Sequence, residues 1–300
     1  MKSIVHSSVL AYTLLGLLFL SGCVHQTDTT QLQVVCSIEP LSYFVKRIGG
    51  SHVAVSVMVP PGGNPHSYEP SPRQMVRLGS AALFIKAGSG VEFELDWMQR
   101  FLSLNSTLKV CNAVEGVRLI PVKKDDAHET SQEESHHHGR YDPHYWLSPS
   151  NGIIIADNVE HALSSADPLH KNDYRENREK LVTELQSLDR EIQRQLASVT
   201  NRRFLVFHPA WGYYAAAFGL EQIAVEDEGK TLTPRQMQRV IDKAKANNIK
   251  VVFVSPQFSR SQAETIAKEI GGVTRSVDPL AGDYQENLRR ATKTFIESMQ

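Results

Sequence analysis

Three histidines stand in matching local settings. His66 lies in Gly62–Pro72 (GGNPHSYEPSP), His144 in Asp142–Trp146 (DPHYW) and His208 in Phe207–Trp211 (FHPAW). Each has a proline beside it and an aromatic residue within three positions. Proline fixes φ, and Gly62 and Gly63 open backbone angles that other residues avoid, so His66 rides on a short, stiffened turn. Imidazole nitrogen is a good donor for Zn²⁺ at about 2.0–2.1 Å. The chemistry expected is a single transition-metal ion held by three imidazoles from distant parts of the chain. A fourth donor should be an anion or water. Asp278 in Ser276–Leu280 (SVDPL) ends a predicted strand and is followed by proline; Glu69 and the acidic run 226–228 are further carboxylates. An Asp oxygen with three imidazoles closes a tetrahedral site, as a carrier needs, whereas water there leaves the open position of an enzyme. Three imidazoles with metal-bound water would suit a zinc hydrolase, but no HExxH motif appears. Because neutral imidazole is the ligand, affinity should fall as pH drops below about 6.5.

The elements that must carry these residues alternate strand and helix from residue 33 onward. Strands are expected at 33–38, 53–59, 81–86 and 108–112, with helices at 41–49, 71–79 and 92–102, which argues for a mostly parallel sheet flanked by helices. A helix over 148–166 closes this N-terminal lobe, 33–169. A helix over 170–199 follows, with Tyr174, Leu181, Leu185, Leu188, Ile192, Leu196 and Val199 on one stripe. At 1.5 Å per residue it would reach about 45 Å, longer than one lobe needs, so it reads as a rigid spine between two lobes. A second alternation fills 200–300, with strands at 203–208, 221–225, 250–254 and 273–277. Its plan is similar, without a detectable repeat of sequence. The fold class is therefore α/β, two lobes joined by one long rigid helix, with His66 and His144 from the first lobe and His208 from the second.

Residues 122–141 are polar throughout and carry His128, His136, His137 and His138. The composition suggests a surface loop with an auxiliary metal-collecting role. At the N-terminus, Lys2 precedes the apolar run Val9–Leu20, too short for the roughly 20 residues of a membrane span. Leu20-Ser-Gly-Cys23 then resembles a bacterial lipobox. That pattern makes 1–22 a signal peptide, Cys23 the lipidated residue that anchors the chain to a membrane, and 23–32 a tether. A formal net charge of −1 offers no global basic field for nucleic acid. Export permits a disulfide between the remaining cysteines, Cys36 and Cys111; two separate buried thiols are the alternative.

GGNPHSYEPSP, DPHYWLSP, FHPAWGYYAAAFGL and SVDPLAGDY resemble the motifs of the zinc/manganese solute-binding lipoproteins of ABC importers. The likeness spans nearly the whole mature chain. It implies two α/β lobes, a metal between them, no catalysis, and delivery of the ion to a membrane permease from the cell envelope, by a protein expected to be monomeric. The family's ligand positions map to His66, His144, His208 and Asp278. Manganese-type members typically carry Glu where His208 stands, so the resemblance implies Zn²⁺, with Mn²⁺ the alternative. Ser255 stands where relatives usually have Glu, and Pro65 where some zinc members have a further glutamate. A surface adhesin with the same lipobox is a remaining alternative.

Overall fold

The apolar run Leu83–Lys86 reads as a strand covered on both faces and takes an inner position of a parallel sheet, whereas Val53–Val59, with Ser56 in it, is the half-buried edge strand. The computed structural model describes residues 31–122, 141–226 and 233–299. In the first lobe β1 (Leu32–Ile38), α1 (Glu39–Gly49), β2 (Val53–Val59), α2 (Pro72–Gly79), β3 (Leu83–Lys86), α3 (Glu92–Leu104) and β4 (Lys109–Asn112) build a sheet of order β2-β1-β3-β4. After α4 (Pro149–Ala166) and α5 (Lys171–Leu196), the second lobe runs β5 (Arg203–Val206), α6 (Gly212–Phe218), β6 (Glu221–Ala224), α7 (Pro234–Ala246), β7 (Val251–Val254), α8 (Ser261–Glu269), β8 (Val273–Ser276) and α9 (Tyr284–Met299). Its order is β6-β5-β7-β8, and every strand pair in both sheets is parallel. The two sheets thus share one plan, and loops at the carboxyl ends of parallel strands are where such folds place ligands.

The plan is echoed in sequence more closely than expected. Ser71-Pro-Arg-Gln-Met75 and Thr233-Pro-Arg-Gln-Met237 open α2 and α7, the helices that follow the equivalent strands β2 and β6. In both, a hydroxyl N-cap and a glutamine three residues on form a capping box, with proline at the first helical position. The repeat is only five residues long, too short to stand out over 300.

The spine α5 covers Lys171–Leu196, about 39 Å at 1.5 Å per residue, and not the full 170–199. Its first turn is entered through a 3₁₀ turn at Pro168–His170, and its last carbonyls are taken by Ala197 N and Val199 N in tight turns. Tyr174, Leu181, Leu185, Leu188, Ile192 and Leu196 are buried along its stripe. That stripe packs on α1 and α4 of the first lobe and on α9 and α6 of the second. One apolar core runs through both lobes along it, from Phe44 and Ile155 to Phe204, Trp211 and Phe295. Trp146 Nε1 donates to Pro279 O at 2.8 Å, and Tyr284 Oη donates to Trp146 O at 2.6 Å, so polar ties cross the same boundary.

Cys36 and Cys111 are both free and buried. Each pairs in register with Ile85, from opposite sides of β3. Two strand spacings put them about 9.6 Å apart, beyond the roughly 7 Å that a disulfide tolerates between Cα atoms. Burial pushes the Cys36 thiol far above its ordinary range and the Cys111 thiol up to about 12, so both are inert.

Candidate metal centre

Each histidine is set by its own loop. After β2, Gly63 N–H donates to Pro60 O at 2.9 Å and Gly62 takes φ +78°, turning the chain back. Asn64 Oδ1 then accepts the His66 N–H at 3.0 Å, and Pro65 O accepts Phe93 N–H at 3.1 Å, tying the loop to the start of α3. That start also supplies Glu92, whose Oε2 lies 2.8 Å from His66 Nδ1.

His144 precedes a 3₁₀ turn over Tyr145–Leu147. Asp142 Oδ1 accepts both the His144 N–H, at 2.9 Å, and the ring Nδ1–H, at 2.8 Å. Tyr213 Oη, from α6, donates to Asp142 O at 3.0 Å and accepts Ile120 N–H at 2.9 Å. A second-lobe side chain thereby holds a first-lobe ligand loop.

His208 follows β5 and is buried. Glu226, just past β6, places Oε1 3.5 Å from His208 Nδ1, within ion-pair range but without the alignment of a hydrogen bond. Burial away from water pushes the His208 pKa down to about 4, against a smaller upward pull from Glu226. Its imidazole is neutral at neutral pH, with a lone pair free for a cation.

Seen together, all three rings turn Nδ1 toward a carboxylate: Glu92, Asp142 and Glu226. A carboxylate hydrogen-bonded to Nδ1, as for His66 and His144, selects the Nδ1–H tautomer and leaves Nε2 as the donor atom. One ring nitrogen from each of His66, His144 and His208 lies within 4.8 Å of the other two. His208 Nε2 and His144 Nε2 are 3.3 Å apart. Two nitrogens each about 2.05 Å from one ion and about 109° apart would themselves be separated by about 3.3 Å. The rings of His66 and His144 both stand 5.1 Å from that of His208, edge to face.

Asp278 lies outside that set of converging atoms. Its Oδ1 accepts Gln257 Nε2–H at 2.8 Å and Leu280 N–H at 2.9 Å. Cys23, His128, His136, His137 and His138 lie outside the described residues. Reading the sequence missed the three carboxylates as ring partners. Asp142 carried a usable signal, an acidic residue two positions before a histidine. Glu226 figured only as a weaker candidate for the fourth donor, and Glu92 had no local signal, since it meets His66 only through the fold.

The model of the family ZnuA, zinc-uptake complex component A, periplasmic, matches residues 34–300. The chain belongs to the ZnuA family. A crystal structure of ZnuA superposes with a TM-score of 0.83 at 33% identity, over 90% of this chain and 100% of that one. The zinc-binding lipoprotein AdcA of Streptococcus pneumoniae R6 is 26% identical over 288 residues, 94% of this chain and 57% of AdcA. The chain thus spans little more than half the length of that curated relative. A putative metal-binding protein of Treponema pallidum is 28% identical over 269 residues, 87% of this chain and 83% of its own. The laminin-binding protein Lmb of Streptococcus agalactiae, a bifunctional protein with adhesin and metal-transporting activity, matches with a TM-score of 0.78 at 27% identity, over 90% of this chain and 100% of Lmb.

Gly212 offers a test of how this ZnuA-family site is braced. A Cβ there would stand 2.5 Å from Asp142 Oδ2. The other oxygen of that carboxylate is fixed by His144, so Gly212→Ala must displace the pair. We expect zinc affinity to drop on the order of 10-fold with little change in Tm, read by competition with a chromogenic chelator.

Proposed function

We propose that this chain is an extracytoplasmic lipoprotein that captures Zn²⁺ between its lobes and delivers it to an ABC permease. His66, His144 and His208 supply three imidazole nitrogens, and Asp278 supplies the anionic fourth donor as the site fills. The reading rests above all on the 3.3 Å between two Nε2 atoms whose rings are both turned by carboxylates. Two lone pairs held that close repel each other unless a proton or a metal ion lies between them. Three neutral nitrogens favour zinc, the better imidazole partner, over manganese, which prefers oxygen. Mn²⁺ is the alternative cargo.

The role is binding without chemical conversion: as the fourth donor, Asp278 would take the position that a metal-bound nucleophilic water needs. The membership of the ZnuA family and the lipoprotein relatives support anchoring at the cell envelope, through a lipid on Cys23 in this reading. The reading further takes the chain as a monomer and gives the stretch with His128 and His136–His138 the gathering of metal, on its composition. The lobes would be bounded at residues 169 and 200. Among the described residues no helix is long and apolar enough to cross a membrane.

Elemental analysis of the purified full chain tests the reading. One tightly held zinc per chain is expected, lost in the triple variant of His66, His144 and His208 to alanine. Manganese in its place overturns the choice of cargo, and zinc retained by the triple variant overturns the site.

A further inference from the structure

The turn Ser255–Phe258 sends neighbouring side chains to two different donors. It is closed by Phe258 N–H donating to Ser255 O at 3.2 Å, with Ser255 buried. Phe258 stacks on the imidazole of His208, ring centroids 4.4 Å apart and planes 26° from parallel. Gln257 turns the other way and donates Nε2–H to Asp278 Oδ1 at 2.8 Å. The same oxygen accepts Leu280 N–H at 2.9 Å, and Asn287 Nδ2 holds the Asp278 main-chain carbonyl at 2.6 Å. Asp278 is therefore fixed at its backbone and at one carboxylate oxygen. Among the described residues, Oδ2 has no hydrogen-bond partner.

Gln257 Oε1 is buried without a partner, which leaves Asp278 as the group that orients this amide. Turned over, the amide would set oxygen against carboxylate oxygen. A buried acceptor without a protein partner costs about 1–3 kcal/mol, so the contact with Asp278 is what sets the direction of this side chain.

We propose that Gln257 sets the metal preference by keeping Asp278 a one-oxygen donor. Two N–H groups fill both lone-pair positions of Oδ1, so Oδ2 alone can reach an ion. Three imidazole nitrogens and one oxygen make four donors, the tetrahedral number that suits zinc. With Oδ1 released, the carboxylate can bind through both oxygens and give five donors with more oxygen, surroundings that suit manganese. This inference rests on the reading of Asp278 as fourth donor.

The test compares Gln257→Leu, Gln257→Met and Asp278→Asn in the full chain purified in detergent and loaded with Co²⁺, alongside Zn²⁺/Mn²⁺ competition. Four-coordinate cobalt absorbs intensely in the visible, and five-coordinate cobalt much less. We expect both Gln257 variants to lose band intensity and to shift the competition toward manganese by about 10-fold, the scale of a lost outer hydrogen bond to a metal ligand. If Asp278→Asn weakens binding while the Gln257 variants keep the parent spectrum and preference, Asp278 is a ligand and the role of Gln257 is wrong. If Asp278→Asn itself leaves affinity and spectrum unchanged, the fourth-donor reading fails and takes the inference with it. The methionine variant keeps an apolar chain of similar length if leucine prevents folding.

Discussion

Replacing His144 by alanine is expected to cost zinc binding well beyond the roughly 10–100-fold typical of losing an outer hydrogen-bond partner. The ring is buried, locked by Asp142 through Nδ1, and aims Nε2 to within 3.3 Å of His208 Nε2. Removing it leaves two imidazoles, and strands the Asp142 carboxylate without its ring donor. Asp142→Asn is the graded companion. The amide oxygen can still accept the ring proton, but the negative charge is lost, and the effect should fall within the 10–100-fold range. Chelator competition at neutral pH measures both. Parent affinity in His144→Ala would remove this residue from the site.

Phe295→Ala should cause the largest loss of stability. Phe295 is fully buried, its ring centroid 4.6 Å from Phe204, 4.8 Å from Phe253, 5.1 Å from Trp211 and 5.5 Å from Tyr214. Truncating such a ring costs about 3–5 kcal/mol, transfer and cavity together. For a chain of this size that lowers Tm by roughly 10 °C, visible by scanning calorimetry. Trp211 opens the helix that follows His208, so the cavity also loosens the second lobe's ligand loop. A shift of less than about 2 °C would mean that the surrounding rings close over the gap.

The three converging histidines were legible because proline and aromatic neighbours mark a residue held in place by its local chain. His66, His144 and His208 each carry that mark, and the structure brings them together. The alternation of strands and helices was legible for a similar reason, since hydrophobic runs of strand length and capped starts such as Ser71-Pro72 are local signals. Element ends were less so. The spine stops at Leu196 and not Val199 because turn hydrogen bonds, invisible to periodicity, take over. The carboxylates behind the imidazoles depend wholly on tertiary placement. Glu92 and His66 are 26 residues apart and meet through the fold, with Phe93 N–H donating to Pro65 O and the Phe93 ring set against Tyr68. The state of the cysteines was likewise undecidable before the strand order was known, because only the insertion of β3 between β1 and β4 separates them.

The unbroken apolar interior along α5 governs how a cargo ion could depart. The halves cannot swing apart without exposing Phe44, Tyr284 and Phe295, so no wide jaw opens to shed the load. On the proposed reading, escape would run through the loops around the imidazoles, and the rate of leakage would be a property of those loops. A recipient would then gain the ion by gripping and loosening the rim, leaving the body of the molecule unchanged from one round of delivery to the next.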